Sequence, residues 1–496
     1  MDELAALRLR CARAEAAVKA LTEKNTALTE KNTALTDEVA ALKQTACLEQ
    51  GGAPKRPRLS ARAAAARAPR PTPDVPIKAL FDVCCASNVL AYRTLRVCAR
   101  VCKDWRARAE SAASLLTVLD MSKTFAELGD VQAALQATGN RLVALDLSHT
   151  SGLADTAERA GELAARIKLT APTLTSLAMS KADVADAASQ ALFQMIAACS
   201  KLEHLDLREN RQLCGGSSEL GAALSALTCL RVLDLGGTTI ELHALGVALQ
   251  RTSALQRLRL DNVELRSSAL AAFEQGLSRQ TSLCELDTRR RIRVSVPVLR
   301  SFWRALSCMP YMRRLLLQDL PRHDNLDHIE FDNLIRKALS DKPFLEHLQI
   351  DHMGESSWAA LADSARGGGG WPCLTFLSLR AYHGTPLTDA ACQPIADVLA
   401  CAPSLRRLEF SSFLTSSKFS AAGGIPLWSA LRQLSQLQKL HLGECDIGAE
   451  GAEALGEALA DMSSLRELGI RLTTLNGKAQ HSFKTRIPSQ VRIHDY

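Results

Sequence analysis

The chain of 496 residues is 47% hydrophobic, 23% charged and only 4% aromatic, a globular composition in which leucine and alanine must supply most of the packing. No apolar run approaches the ~18 residues of a membrane span, and the acidic opening Met1-Asp2-Glu3 does not predict a secretory leader. The fifteen cysteines are scattered without a C-x-x-C pair, which argues against a zinc ribbon and predicts reduced, mostly buried thiols.

Residues 1–47 follow a heptad. With position a at Leu4, the a series runs Leu4, Cys11, Val18, Asn25, Asn32, Val39 and Ala46, and the d series Leu7, Ala14, Leu21, Leu28, Leu35 and Leu42. A seam of period 3.5 has to be buried against a partner helix, so a coiled coil is expected. Asn25 and Asn32 pair best across two parallel strands, and with Leu21, Leu28 and Leu35 they make the seam of an expected homodimer. A single amphipathic helix packed on its own domain is the alternative.

Residues 48–74 hold Gly51, Gly52, Pro54, Pro57, Pro69, Pro71 and Pro73, too many breakers for a continuous helix or strand, so a linker is expected. The net charge of +7 concentrates here: residues 51–73 carry six Lys or Arg and no acid. The rest of the chain is close to neutral, which argues against a general nucleic-acid-binding surface. Lys55, Arg56 and Arg58 form a short run of the nuclear-import kind, and a solvated basic linker reads equally well.

Residues 75–111 open with Val75-Pro76-Ile77-Lys78-Ala79-Leu80-Phe81 and close near Val101-Cys102-Lys103-Asp104-Trp105, with Leu95 between. This block resembles an F-box, a three-helix motif. The resemblance implies that Pro76, Leu80, Phe81, Leu95, Val101 and Trp105 form a face docked by a Skp-type adaptor. A helical cap on the first repeat is the plainer reading, and the two are compatible. Cys98 and Cys102 are read as thiols rather than metal ligands, because no further ligand lies nearby.

From Leu116 the pattern L-x-x-L-x-L recurs thirteen times. Its central residues are Leu119, Leu145, Leu177, Leu205, Leu233, Leu258, Leu286, Leu315, Leu348, Leu377, Leu408, Leu440 and Leu468, a mean period of about 29 residues. Each copy predicts a short strand with inward leucines and a helix that returns behind it. Residues 112–480 thus resemble leucine-rich repeats of the ribonuclease-inhibitor type. The resemblance implies an α/β solenoid, a horseshoe with a parallel sheet on its concave face and helices on the convex one. The family favours Asn or Cys at the turn after each strand, where the side chain satisfies backbone groups. Asn210 and Cys445 stand there, with Thr124, Thr150 and Thr238, while Arg291, Leu320, Met353 and Phe413 depart from the pattern. In residues 481–496, Val491-Arg492-Ile493 alternates like a final cap strand.

No phosphate-binding loop, nucleophile elbow or metal-ligand spacing is present, and Gly367–Gly370 is expected to be a flexible connection. The chain is therefore expected to be no enzyme and to need no metal, cofactor or small-molecule substrate. On the concave face of the first seven repeats, the residue after the central leucine reads Asp120, Asp146, Ala178, Asp206, Asp234, Arg259 and Asp287, a family habit rather than a site. Arg257, Arg259, Arg289 and Arg314 are less routine and fall on three successive strands, with Arg290, Arg291 and Arg293 beside them. Arginine forks suit carboxylate or phosphate, so an acidic or phosphorylated peptide would fit there, unless Asp261, Glu285 and Asp287 neutralise the patch.

The resemblances together imply an intracellular protein, nuclear or cytoplasmic, that holds an unidentified substrate protein for a Skp–cullin–F-box type ubiquitin ligase. Two rivals stand beside it: an interaction scaffold without a ubiquitin link, and a GTPase-activating protein built on similar repeats. The latter would need an arginine supplied in trans, and no position singles one out.

Overall fold

The computed structural model describes residues 117–496, apart from 123–127, 151, 212, 214–216, 262, 267–269, 290–295, 318–327, 354, 382–387, 413–416, 419–420, 444, 472–474 and 496. The strands in chain order are β1 (Val118–Asp120), β2 (Ala144–Asp146), β3 (Ser176–Ala178), β4 (His204–Asp206), β5 (Val232–Asp234) and β6 (Thr239–Glu241). They continue as β7 (Arg257–Arg259), β8 (Glu264–Arg266), β9 (Glu285–Asp287), β10 (Arg314–Leu317), β11 (His347–Met353) and β12 (Phe376–Ala381). The last are β13 (Arg407–Ser412), β14 (Ser417–Lys418), β15 (Lys439–His441), β16 (Cys445–Asp446), β17 (Glu467–Ile470) and β18 (Arg492–Asp495). Fourteen of them form one sheet, in the order β1-β2-β3-β4-β5-β7-β9-β10-β11-β12-β13-β15-β17-β18. The pairs β6–β8 and β14–β16 make two small sheets of their own.

Every pairing is parallel and joins one repeat to the next, because a helical segment returns the chain to the start of each new strand. The register places Leu119 opposite Leu145, Leu145 opposite Leu177, and so on through Leu258, Leu286 and Leu315 to Leu440 and Leu468. Ile493 of β18 extends the same column, so the last strand pairs onto β17 as the alternation of Val491–Ile493 predicts. Each column residue through Leu468 is buried, and burying one leucine contributes roughly 1.5–3 kcal/mol. The fold is a leucine-rich-repeat solenoid, a fourteen-stranded parallel sheet alternating with helices.

The helices supply the second layer of one continuous core. In Gly448–Ala460, the buried Ala452, Leu455, Ala458 and Leu459 lie at helical spacing, as the sequence predicts. Helix Ala157–Thr170 starts where Thr156 accepts the Arg159 amide, a side-chain cap on a donor with no partner within the helix. Trp303, fully buried on Val296–Leu306, meets Phe331 edge-to-face at 5.9 Å.

Two glycine features shape the stack. Helices Leu242–Arg251 and Leu270–Ser278 approach so closely that a Cβ on Gly276 would lie 2.2 Å from the Gly246 carbonyl oxygen. The run Gly367–Gly370 is a built turn rather than a slack one: Gly369 and Gly370 hold φ of 79° and 86°, and a Cβ on Gly368 would sit 2.5 Å from the Asp341 amide nitrogen.

The turn position is satisfied as the family pattern implies. Asn210 donates to the carbonyls of Met179 (2.7 Å) and Leu207 (2.8 Å) and accepts the Ala182 amide (3.1 Å). The Thr238 hydroxyl donates to the Leu235 carbonyl at 2.6 Å, and Thr150 donates to Leu147 in the same way. Met353 fills the position by burial alone. Thr124, Arg291, Leu320 and Phe413 lie outside the described residues.

The cysteines depart from expectation. Among the described ones, Cys199 and Cys392 are buried, Cys284 and Cys401 half-buried, and Cys229, Cys308 and Cys373 exposed. Cys229 and Cys373 each stand four residues before a central leucine, at the outward turn that opens a strand. Burial pushes the Cys199 thiol up to about 11 and the Cys392 thiol up to about 12, so both are inert at neutral pH.

Candidate protein-binding face

Because the central leucines point into the core, the residues beside them form the open face of the sheet, turned away from the helices. The acidic column on this face has a local cause. Asp120, Asp146, Asp206, Asp234 and Asp287 each accept the amide two residues on, from Ser122, Ser148, Arg208, Gly236 and Arg289, at 2.8–3.1 Å. Each carboxylate thus ties down the turn that ends its own strand.

The four arginines of the expected patch fall on neighbouring strands but line two clefts, Arg259 and Arg289 one of them and Arg257 and Arg314 the other. Arg257 and Arg259 stand on β7, Arg289 just beyond β9, and Arg314 on β10, three neighbours in the sheet. Carboxylates interleave with it. Arg257 reaches Glu285 at 3.5 Å; Arg259 bridges Glu285 (3.0 Å) on one side and Asp234 (3.7 Å) on the other; Arg289 grips Asp287 at 2.6 Å. Arg314 alone of the four makes no ion pair among the described residues, and its Nε is buried without a hydrogen-bond partner. Arg290, Arg291 and Arg293 lie outside the described residues.

A cleft of about 550 Å³ opens over the ends of these strands, lined by Lys181, Arg208, Arg259, Arg289, Asp261 and Asp287 among others. Its electrostatics are tightly balanced. Burial works against the charge of Arg259, but the Glu285 hydrogen bond and the surrounding carboxylates outweigh it and hold the guanidinium above its ordinary pKa. Asp234 goes the other way: burial, then the neighbouring Asp206 charge, push it up to about 6 despite Arg208 and the Gly236 amide. Burial, then the charge of Asp287, also raise Asp261. Among the described residues, no three His, Cys, Asp or Glu side chains converge as a metal site would need, and no helix is long and apolar enough to cross a membrane.

The family description "Leucine Rich repeat" matches residues 434–456, which span β15, β16 and the start of the following helix. The ribonuclease inhibitor of Mus musculus is 26% identical over 278 residues, covering 51% of this chain and 59% of that relative. The repeats are thus similar in sequence to a leucine-rich repeat and to that inhibitor. The leucine-rich repeats span less than two thirds of that curated relative's length. Among solved structures, an internalin from Listeria monocytogenes aligns at 14% identity and a TM-score of 0.39, covering 78% of this chain and 88% of that one.

The remaining expected site residues lie outside the described residues: Leu21, Asn25, Leu28, Asn32 and Leu35 of the coiled coil, Lys55, Arg56 and Arg58 of the basic run, and Pro76, Leu80, Phe81, Leu95, Val101 and Trp105 of the F-box-like block. The sequence reading missed Tyr311 and Phe344, exposed aromatics stacked at 6.0 Å beside Arg314. Both stand four residues before a central leucine (Leu315 and Leu348), so comparing that position across the repeats would have found them.

Proposed function

We propose that the chain is a protein-interaction scaffold whose open sheet face holds a protein partner without doing chemistry on it. The observation that carries this reading is the face itself: parallel, registered strands that share one leucine column yet differ from repeat to repeat in the charges beside it. A periodic scaffold with an aperiodic surface presents a specific footprint. The mouse relative is named for inhibiting ribonuclease, an act of binding, which supports the same class of role. Recovery of partners by the full chain, against a variant carrying Arg257→Gln, Arg259→Gln and Arg289→Gln, tests the reading. Equal recovery at every salt concentration would count against this face.

The finer reading makes the scaffold a substrate receptor of a Skp–cullin–F-box type ubiquitin ligase. It is supported by the Val101-Cys102-Lys103-Asp104-Trp105 ending and the Pro76, Leu80 and Phe81 opening. Replacing Leu80 and Phe81 by Asp should abolish capture of a Skp-type adaptor, because a charge buried without a partner costs several kcal/mol. Undiminished capture would leave the scaffold without its ubiquitin link.

A further inference from the structure

Repeats provide internal controls, since a side chain that the fold requires recurs at the same register. Four residues before the central leucine, other repeats carry Thr173, Lys201, Cys229, Ser282 and Ser404. Tyr311 and Phe344 occupy that place in two adjacent repeats, 57% and 45% exposed, with their rings stacked at 6.0 Å and 29°. The solenoid builds the same turn without an aromatic elsewhere, so folding does not explain this pair. In a chain with only 4% aromatic residues, two stacked rings left in water mark an interaction surface.

The rings wall a cleft of about 710 Å³ at the N-terminal ends of β7, β9, β10 and β11, a size that suits one or two side chains of a bound peptide. Its floor is cationic in one place. Arg257 is held by Glu285 and Arg313 by Glu346 at 3.4 Å, whereas Arg314 makes no ion pair among the described residues and keeps a buried Nε without an acceptor. Beside Arg314 in register stands His347, its Nδ1 also unpartnered, and its ring lies 5.8 Å from Phe376, over which Arg407 sits at 5.2 Å. Burial, then the charge of Arg314, lowers the pKa of His347, so the histidine adds no second positive charge at neutral pH. The cleft therefore offers a flat apolar wall and one uncompensated guanidinium on a packed backing.

We propose that the cleft between Tyr311, Phe344 and Arg314 anchors the partner of the sheet, and that it takes a peptide segment in which a carboxylate side chain neighbours a large apolar one. This rests on the binding-face reading above and gives it a partner chemistry. A single guanidinium fork matches one carboxylate, and the stacked rings favour a planar or branched apolar neighbour.

The test uses the full chain and a fluorescent peptide centred on Glu-Phe-Glu, read by anisotropy against Gln-Phe-Gln, Glu-Ala-Glu and phosphotyrosine versions and a short oligothymidylate. The Glu-Phe-Glu peptide should bind, with the first two controls weaker by about tenfold or more, the ratio that one lost charge-assisted pair or stacked ring produces. Arg314→Gln, Tyr311→Ser and Phe344→Ser should each weaken it similarly. The serine variants install the residue that Ser282 already holds in the preceding repeat, and circular dichroism verifies that they fold. No binding, equal binding by wild type and variants, or tighter binding of the phosphopeptide or oligothymidylate would each overturn the proposal. If partner recovery still depends on Arg257, Arg259 and Arg289 while the peptide ignores Arg314, the cleft falls and the binding face stands.

Discussion

Asp234 is the carboxylate on which burial and ion pairing conflict most sharply. It is 4% exposed, with Arg259 at 3.7 Å, Arg208 at 3.9 Å and the Gly236 amide on its Oδ1. All three favour the charged form, yet burial and the Asp206 carboxylate raise its pKa from 3.8 to about 6. At about 1.4 kcal/mol per unit, folding disfavours the ionised group by on the order of 3 kcal/mol. Below about pH 4 both states are protonated and nothing is lost. Between about pH 4 and 6 the folded chain keeps a proton that the unfolded chain releases, so stability falls as pH rises, and the full penalty persists above that window. Asp234→Asn keeps an acceptor for the Gly236 amide and removes the charge. The variant should match wild type near pH 4 and exceed it near pH 7 by up to about 3 kcal/mol, read from urea midpoints followed by circular dichroism. A variant less stable near pH 7, or a difference that ignores pH, would show that Arg208 and Arg259 outweigh burial, and would refute the reasoning.

Three further outcomes are expected. Asn210→Ala strands the carbonyls of Met179 and Leu207 and the amide of Ala182, and should cost about 2–4 kcal/mol in chemical denaturation; Asn210→Thr should recover part of it, as Thr150 and Thr238 serve the same turn. Gly276→Ala drives a Cβ into the Gly246 carbonyl and should destabilise by about 1–3 kcal/mol, whereas Gly161→Ala, in open space on its helix, should gain about 0.5–1 kcal/mol; thermal melts of the pair separate crowding from helix propensity. Sedimentation of the full chain should give a dimer and a chain starting at Gly51 a monomer, and equal masses would remove the coiled coil.

The leucine column was legible because it is dictated by position alone: all thirteen central residues, from Leu119 to Leu468, stand in register in the sheet, and the alternation at Val491–Ile493 foretold the fourteenth strand. The Asp column was read as habit, and its amide-capping role depends on turn geometry that the letters do not carry. The state of the arginines was legible only in part. Glu285 and Asp287, named from the sequence as neutralising acids, do pair with Arg257, Arg259 and Arg289, but Asp234, the second partner of Arg259 on a separate strand, shows only in three-dimensional register. The expectation of buried thiols failed at Cys229 and Cys373, because composition predicts average burial and says nothing of the outward turn each occupies.

The order of the sheet carries one more consequence. From β1 to β18, every strand of the main sheet adds beside the strand made before it, and no later segment inserts between two earlier ones. Closing each pairing needs only the next repeat, so loop-closure cost stays small and does not grow with the length of the array. A chain wired this way can fold in the order in which it is synthesised, each emerging repeat finding a finished edge to join. Among the described strands, Arg492–Asp495 joins after the others, on the edge that β17 presents.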